Sequence, residues 1–177
     1  MYQSAWNAGV RYYDTAPMHG HGLAELRTGQ TLRWKNRHDY VLSSKVGRLL
    51  TPAARSSIDF APWVNGAPFS IQFDYSYDGT MRSVEDFLQR LALERMDICL
   101  IHDIDVFTRG KDQPVVFRQA MDGCYNVLDK MRTEGVIKAI GVGVNEREDC
   151  HEALETARLR LFPADRTPYI AGTGCAE

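Results

Sequence analysis

Apolar positions along this chain keep changing rhythm, from short runs or period two to a spacing near 3.6 residues and back. Residues 2–8 read as the last turns of a helix that Gly9 ends, and 10–14 as a strand. Pro17, Gly20 and Gly22 enforce a loop before a helix over 24–34, whose first turn holds Glu25 at the favourable end of the dipole. A strand follows at 40–45. The stretch 50–80 is rich in Pro, Gly, Ser and aromatic residues and reads as one long loop, a candidate lid. Ser83 caps a helix to about residue 92, with Glu85 and Asp86 in its first turn. Beyond it the pattern predicts a strand over 96–102, a helix over 115–133, a strand over 136–142 and a helix over 146–158.

Four strands alternating with helices predict an α/β fold with a parallel sheet. Three of the strands end on residues that carry chemistry: Asp14, Lys45 and His102. One mouth of a parallel barrel gathers the C-terminal strand ends, so an acid, an amine and an imidazole would meet there. One such residue alone would usually be a solvated strand terminus. A closed (β/α)8 barrel needs about 250 residues, and only four strands are visible, with none before the opening helix. The expectation is therefore a partial TIM barrel, about strands two to five with their helices.

Composition narrows the function. The 177 residues are 44% hydrophobic and 25% charged, ordinary for one globular domain with a sizeable core. A net charge of −2 gives no reason to expect nucleic acid or an anionic membrane as partner. No apolar run approaches the roughly 20 residues that span a bilayer, and no signal-peptide pattern precedes Trp6. The four cysteines form no C-x-x-C pair, which suits reduced thiols in the cytoplasm better than zinc or a disulfide framework.

A series of motifs carries more. Residues 5–17 read AWNAGVRYYDTAP, 20–25 GHGLAE, 43–47 SSKVG and 73–78 FDYSYD. They continue with RSVE at 82–85, RLALERMD at 90–97, LIHDID at 100–105 and GVIKAIGVGVN at 135–145. In this order they resemble the aldo-keto reductases, in the branch of D-threo-aldose 1-dehydrogenase and pyridoxal 4-dehydrogenase. The resemblance covers about residues 2–158.

It implies hydride transfer between a nicotinamide, NADP or NAD, and an aldose, an aldehyde or its alcohol, by an Asp-Tyr-Lys-His tetrad. Asp14, Lys45 and His102 match three members. The lysine would lower the pKa of the tyrosine, and the histidine would orient the substrate oxygen. The tyrosine position is His19 here, since Tyr12 and Tyr13 precede Asp14 on the strand. An imidazole beside an ammonium is held neutral and donates protons poorly, so the resemblance implies an impaired site. Asn145 resembles the polar residue that binds the nicotinamide carboxamide, although the register through GVGVN leaves its neighbours open. Gly141 and Gly143 suit close packing better than phosphate binding, a lone G-x-G being weak. His21 is expected at the surface. Asp103 and Asp105 lack an adjacent oxygen cluster and read as solvated acids rather than metal ligands.

After Arg158 the resemblance stops, so 159–177 is expected to be a non-homologous tail. Its possible codons, read one nucleotide on, permit a sequence like the family's strand six. This predicts a frameshift near Arg158, followed by early termination. Without the remaining strands the sheet could not close, and the isolated chain is expected to be poorly soluble or partly unfolded, and inactive. Two other readings compete. A non-catalytic fragment would associate with intact paralogues through its open edge. A metal-dependent barrel hydrolase is suggested by His19-Gly-His21, but Pro17 and Gly20 place that pair in a loop rather than on a strand.

Overall fold

The alternating rhythm folds as expected into strands that pair side by side with helices packed on one face. The computed structural model describes residues 1–156. In chain order these form α1 (Tyr2–Asn7), β1 (Tyr12–Asp14), α2 (Leu23–Leu32), β2 (Val41–Val46), β3 (Arg48–Pro52) and β4 (Phe69–Phe73). They continue with α3 (Tyr77–Leu91), β5 (Ile98–His102), α4 (Val106–Arg109), α5 (Gln113–Ala120), α6 (Asn126–Thr133), β6 (Ala139–Gly143) and α7 (Arg147–Thr156). The predicted tail at 159–177 lies outside the described residues.

Strands β1, β2, β5 and β6 form a parallel sheet in that order, while β3 and β4 make a separate antiparallel hairpin. The sheet is open among the described residues, a partial barrel. Its register sets Asp14 opposite Ser43, Lys45 opposite Leu100, and His102 opposite Gly143. Side chains alternate along each strand. One set (Tyr13, Leu42, Val46, Cys99, Ile101, Ile140, Val142) therefore packs beneath the helices with Phe87, Leu91, Phe117 and Leu128. The opposite set contains the polar and short residues considered below.

Three expectations need correction. Residues 50–80 are not one loop, because β3 and β4 pair across it and the connection spans only 53–68. Leu49 and Leu50 are buried there, and their burial outweighs the Pro- and Gly-rich composition of the stretch. The next helix begins at Tyr77 rather than at Ser83. Ser76 accepts a hydrogen bond from the Gly79 amide at 3.0 Å and is the true cap, while Ser83 is buried inside α3. The helix expected over 115–133 is interrupted by a π-turn at Met121–Tyr125. A Cβ on Gly123 within that turn would run into the Tyr75 carbonyl oxygen, so the helix backbone comes as close to its neighbour there as glycine permits.

Among the described residues no helix is long and apolar enough to cross a membrane. Phe87 is fully buried and central to the helix–sheet layer. Its replacement by Ala should cost about 3–5 kcal/mol in urea unfolding. Trp34, which is 77% exposed, should lose less than about 0.5 kcal/mol on the same change.

Candidate active site

Parallel pairing brings the ends of β1, β2, β5 and β6 to one edge of the sheet. Tyr12, Asp14, Ser43 and Lys45 share the face away from the helices and join in a chain of hydrogen bonds. The Tyr12 and Ser43 hydroxyls lie 2.9 Å apart, and Ser43 donates to Asp14 Oδ1 at 2.5 Å. Lys45 Nζ donates to Asp14 Oδ2 at 2.7 Å and to the Thr15 carbonyl at 3.0 Å. Lys45 is buried, so its ammonium needs these two acceptors. Gly143 forms the floor beneath it. A Cβ there would lie 3.0 Å from both Cδ and Cε of Lys45, in keeping with the packing role expected for this glycine.

His102 ends β5 beside them, 7% exposed. Burial pushes its imidazole well below the usual range, helped by the positive charges of Lys45 and Arg48. Its Nδ1 is buried without a hydrogen-bond partner among the described residues. His19 lies in the loop after β1, half-buried. Its ring centroid is 6.5 Å from that of His102 and 5.3 Å from that of Trp63, on the connection between β3 and β4. Its pKa is lowered, chiefly by burial and then by Lys45, with Asp14 opposing.

The structure thus brings together Asp14, His19, Lys45 and His102 at one mouth. Asn145 follows β6, and both its backbone N–H and its Nδ2 donate to Asp105 Oδ2 at 2.8 Å. Its side-chain oxygen and second side-chain N–H are the groups it has left to offer. Asp105 also caps α4 by accepting from the Thr108 amide at 2.7 Å.

Several residues differ from their sequence reading. Asp105 is fully buried rather than solvated, because it ties the end of β5 to the end of β6. Asp103 is buried as well, gripped by Arg48 through both Nε and Nη2. His21 is 3% exposed instead of lying at the surface. Its ring contacts the Phe69 carbonyl at 2.7 Å and meets the Phe60 ring at a tilt, 5.0 Å between centroids, pinning its loop to the hairpin. Glu25 does more than face a dipole. It is fully buried, bonded to Ser44 at 2.8 Å and to Arg90 at 2.6 Å. Arg48 was not singled out from sequence, and only its partner across the fold, Asp103, reveals it. His19 and His21 point to different neighbours, and no group of three His, Cys, Asp or Glu suited to a metal occurs among the described residues.

A cavity of about 590 Å³ is lined by Phe73, Tyr75, Arg109 and residues of α5 and the π-turn. It shares no lining residue with the Asp14, His19, Lys45 and His102 cluster, so the two are separate.

The sequence model of the aldo/keto reductase family matches residues 1–163. The chain belongs to that family. It is 39% identical over 168 residues to pyridoxal 4-dehydrogenase of Microbacterium luteolum, covering 89% of this chain and 48% of that protein. With D-threo-aldose 1-dehydrogenase of a Pseudomonas species it shares 35% over 164 residues, covering 90% and 47%. This aldo/keto reductase chain spans about half the length of the curated relatives it matches. The solved glycerol dehydrogenase of Gluconobacter oxydans has the same fold, with a TM-score of 0.61 at 24% identity over 89% of this chain and 41% of that one.

The buried imidazole makes a pH prediction. Unfolded, His102 takes up a proton near 6.5, whereas folded it resists protonation. Its contribution to stability is therefore full above that pH and is lost as the pH falls below it. Urea midpoints compared at pH 7.5 and 5.5 should fall less in His102→Asn than in the parent.

Proposed function

We propose that this chain carries the proton-handling part of an NAD(P)-dependent oxidoreductase site for an aldose, an aldehyde or the corresponding alcohol. The observation that supports it best is the buried Lys45 ammonium, held by Asp14 and the Thr15 carbonyl beside His102. NADP or NAD, when bound, would supply or accept the hydride. The residues present fit its nicotinamide end. Asn145 has one N–H turned to Asp105 and keeps its side-chain oxygen and second N–H for a carboxamide.

The chain's own groups then divide the remaining work. Lys45 places a fixed positive charge where a substrate oxygen gains negative charge. Asp14 keeps that ammonium in place. His102, neutral at physiological pH, is a hydrogen-bond donor that orients the oxygen without competing for its proton. His19 stands where the family has its proton-exchanging tyrosine. The same charge that would acidify a phenol there drives a proton off an imidazole, so His19 is a weak acid catalyst at neutral pH. Relatives act on pyridoxal and on D-threo-aldoses by name, and both are small polar carbonyl compounds or their cyclic forms.

The test is turnover of NADP and NAD with aldoses and pyridoxal by this chain completed into a closed barrel with the remaining half of pyridoxal 4-dehydrogenase, with His19 kept and with His19→Tyr. The tyrosine variant should be faster by about 10²–10⁴-fold, the worth of a positioned general acid. Equal, measurable rates would remove the role given to His19. Absence of hydride transfer from both would remove the oxidoreductase reading for this chain.

A further inference from the structure

Arg48, Asp103 and His102 form a line of contacts that the tetrad leaves out. Asp103 directly follows His102 and has φ +51°, a left-handed conformation that few residues other than glycine adopt. That turn, together with a hydrogen bond from the Asp103 amide to the Gly143 carbonyl at 2.9 Å, brings the carboxylate back toward the imidazole. Asp103 Oδ2 lies 3.5 Å from His102 Nε2. The same oxygen accepts from Arg48 Nε at 2.8 Å and from Arg48 Nη2. Arg48 and Asp103 are each 7% exposed. Burial raises the Asp103 pKa, and Arg48 opposes that rise, so the guanidinium is what keeps the acid ionised.

The backbone around the pair is equally constrained. Tyr75 donates its hydroxyl hydrogen to the His102 carbonyl at 2.6 Å, and Arg109 Nε donates to the Asp103 carbonyl at 2.9 Å. Phe73 lies against both guanidinium groups, with Arg48 4.3 Å and Arg109 3.4 Å from its ring centre.

We propose that Arg48 and Asp103 are positioning residues that set the tautomer of His102, placing its single proton on Nε2. This inference rests on the reading of His102 as the group that orients the substrate oxygen. A carboxylate oxygen facing a ring nitrogen repels a lone pair and favours an N–H there. The other nitrogen, Nδ1, is buried without a partner among the described residues, where a bare lone pair costs less than an unpaired N–H donor. His102 thus keeps a donor on the nitrogen that Asp103 faces, and that N–H can pass to a substrate oxygen at the mouth. The charged groups around the imidazole are Lys45, Arg48 and Arg109, with the titratable His19 ring nearby and Asp103 against Nε2. The hairpin that supplies Arg48 and Phe73 is in this way tied to the state of the histidine on β5.

Nitrogen-15 NMR of histidine-labelled protein tests this without any turnover, with the His102 signals assigned by their loss in His102→Gln. In the parent at pH 7.5, Nε2 should show the shift of a protonated ring nitrogen and Nδ1 that of an unprotonated one. Finding the proton on Nδ1 in the parent overturns the proposal whatever any variant does. Asp103→Gly suits the left-handed backbone and removes the carboxylate. Made alone, or with Arg48→Gln so that no buried cation is left unpaired, it should replace the single tautomer by a mixture. Retention of the parent's single tautomer in the double variant, with an unchanged circular dichroism spectrum, would also overturn it. Because tautomer and hydride transfer are read separately, the positioning role can fail while the oxidoreductase reading stands, and the reverse.

Discussion

The site and its surroundings are organised by one buried ammonium. A lysine that is 5% exposed must either lose its proton or find acceptors, and Lys45 finds a carboxylate at 2.7 Å and a backbone carbonyl at 3.0 Å. Meeting that need fixes much else. Asp14 must sit at the end of β1, in register with Ser43, which bonds its second oxygen. Gly143 on β6 leaves room for the lysine stem, since a Cβ there would crowd Cδ and Cε at 3.0 Å. Burial holds His19 and His102 below their usual range, and the Lys45 charge adds to that at a distance.

The fold places other charges behind this mouth by the same rule, each balanced by a partner on another element. Asp97 precedes β5 and is reached by Arg37, Lys138 and the Leu42 amide. Burial alone would push its carboxyl up, but these three partners bring it below its usual range. Glu25 falls on the other side of that balance. It is fully buried on α2, and burial raises its pKa despite Arg90 and Ser44. Arg90 on α3 and Ser44 on β2 meet at that one carboxylate, which therefore locks the first helix layer to the sheet. Removing one partner from such a pair costs more than the pair itself contributes, so these sites hold element positions rather than add net stability.

How much of this was legible in the sequence depended on whether the relevant partner was near in the chain. The four parallel strands and Asp14, Lys45 and His102 at their ends could be read from period and order, because burial of one face writes itself into local alternation. The β3–β4 hairpin could not. Its strands flank a 53–68 connection full of Pro, Gly and Ser, and that composition hides a pairing made only once Arg48 through Pro52 meet Phe69 through Phe73. The helix start shifted from Ser83 to Ser76 for a related reason, since either serine is a plausible cap and only Gly79 decides between them. Asp103, Asp105 and His21 looked like solvated polar residues because their partners (Arg48, Asn145 and Phe69) lie far along the chain. No single-sequence signal marks a residue whose burial is compensated from 40 positions away.

The ammonium that organises this mouth also determines what a histidine at position 19 can do. Suppose the site works as proposed. A phenol near Lys45 gains from the charge, because its anion is stabilised and its proton becomes easier to exchange. An imidazole gains nothing from it, because the protonated form needed to donate is itself a cation, disfavoured by the same ammonium and by burial. Asp14 works the other way, but its negative charge is already engaged by Lys45 and Ser43. The position is therefore not neutral toward substitution. The features that make Lys45 a good partner for an acidifiable hydroxyl make it a poor one for a basic ring.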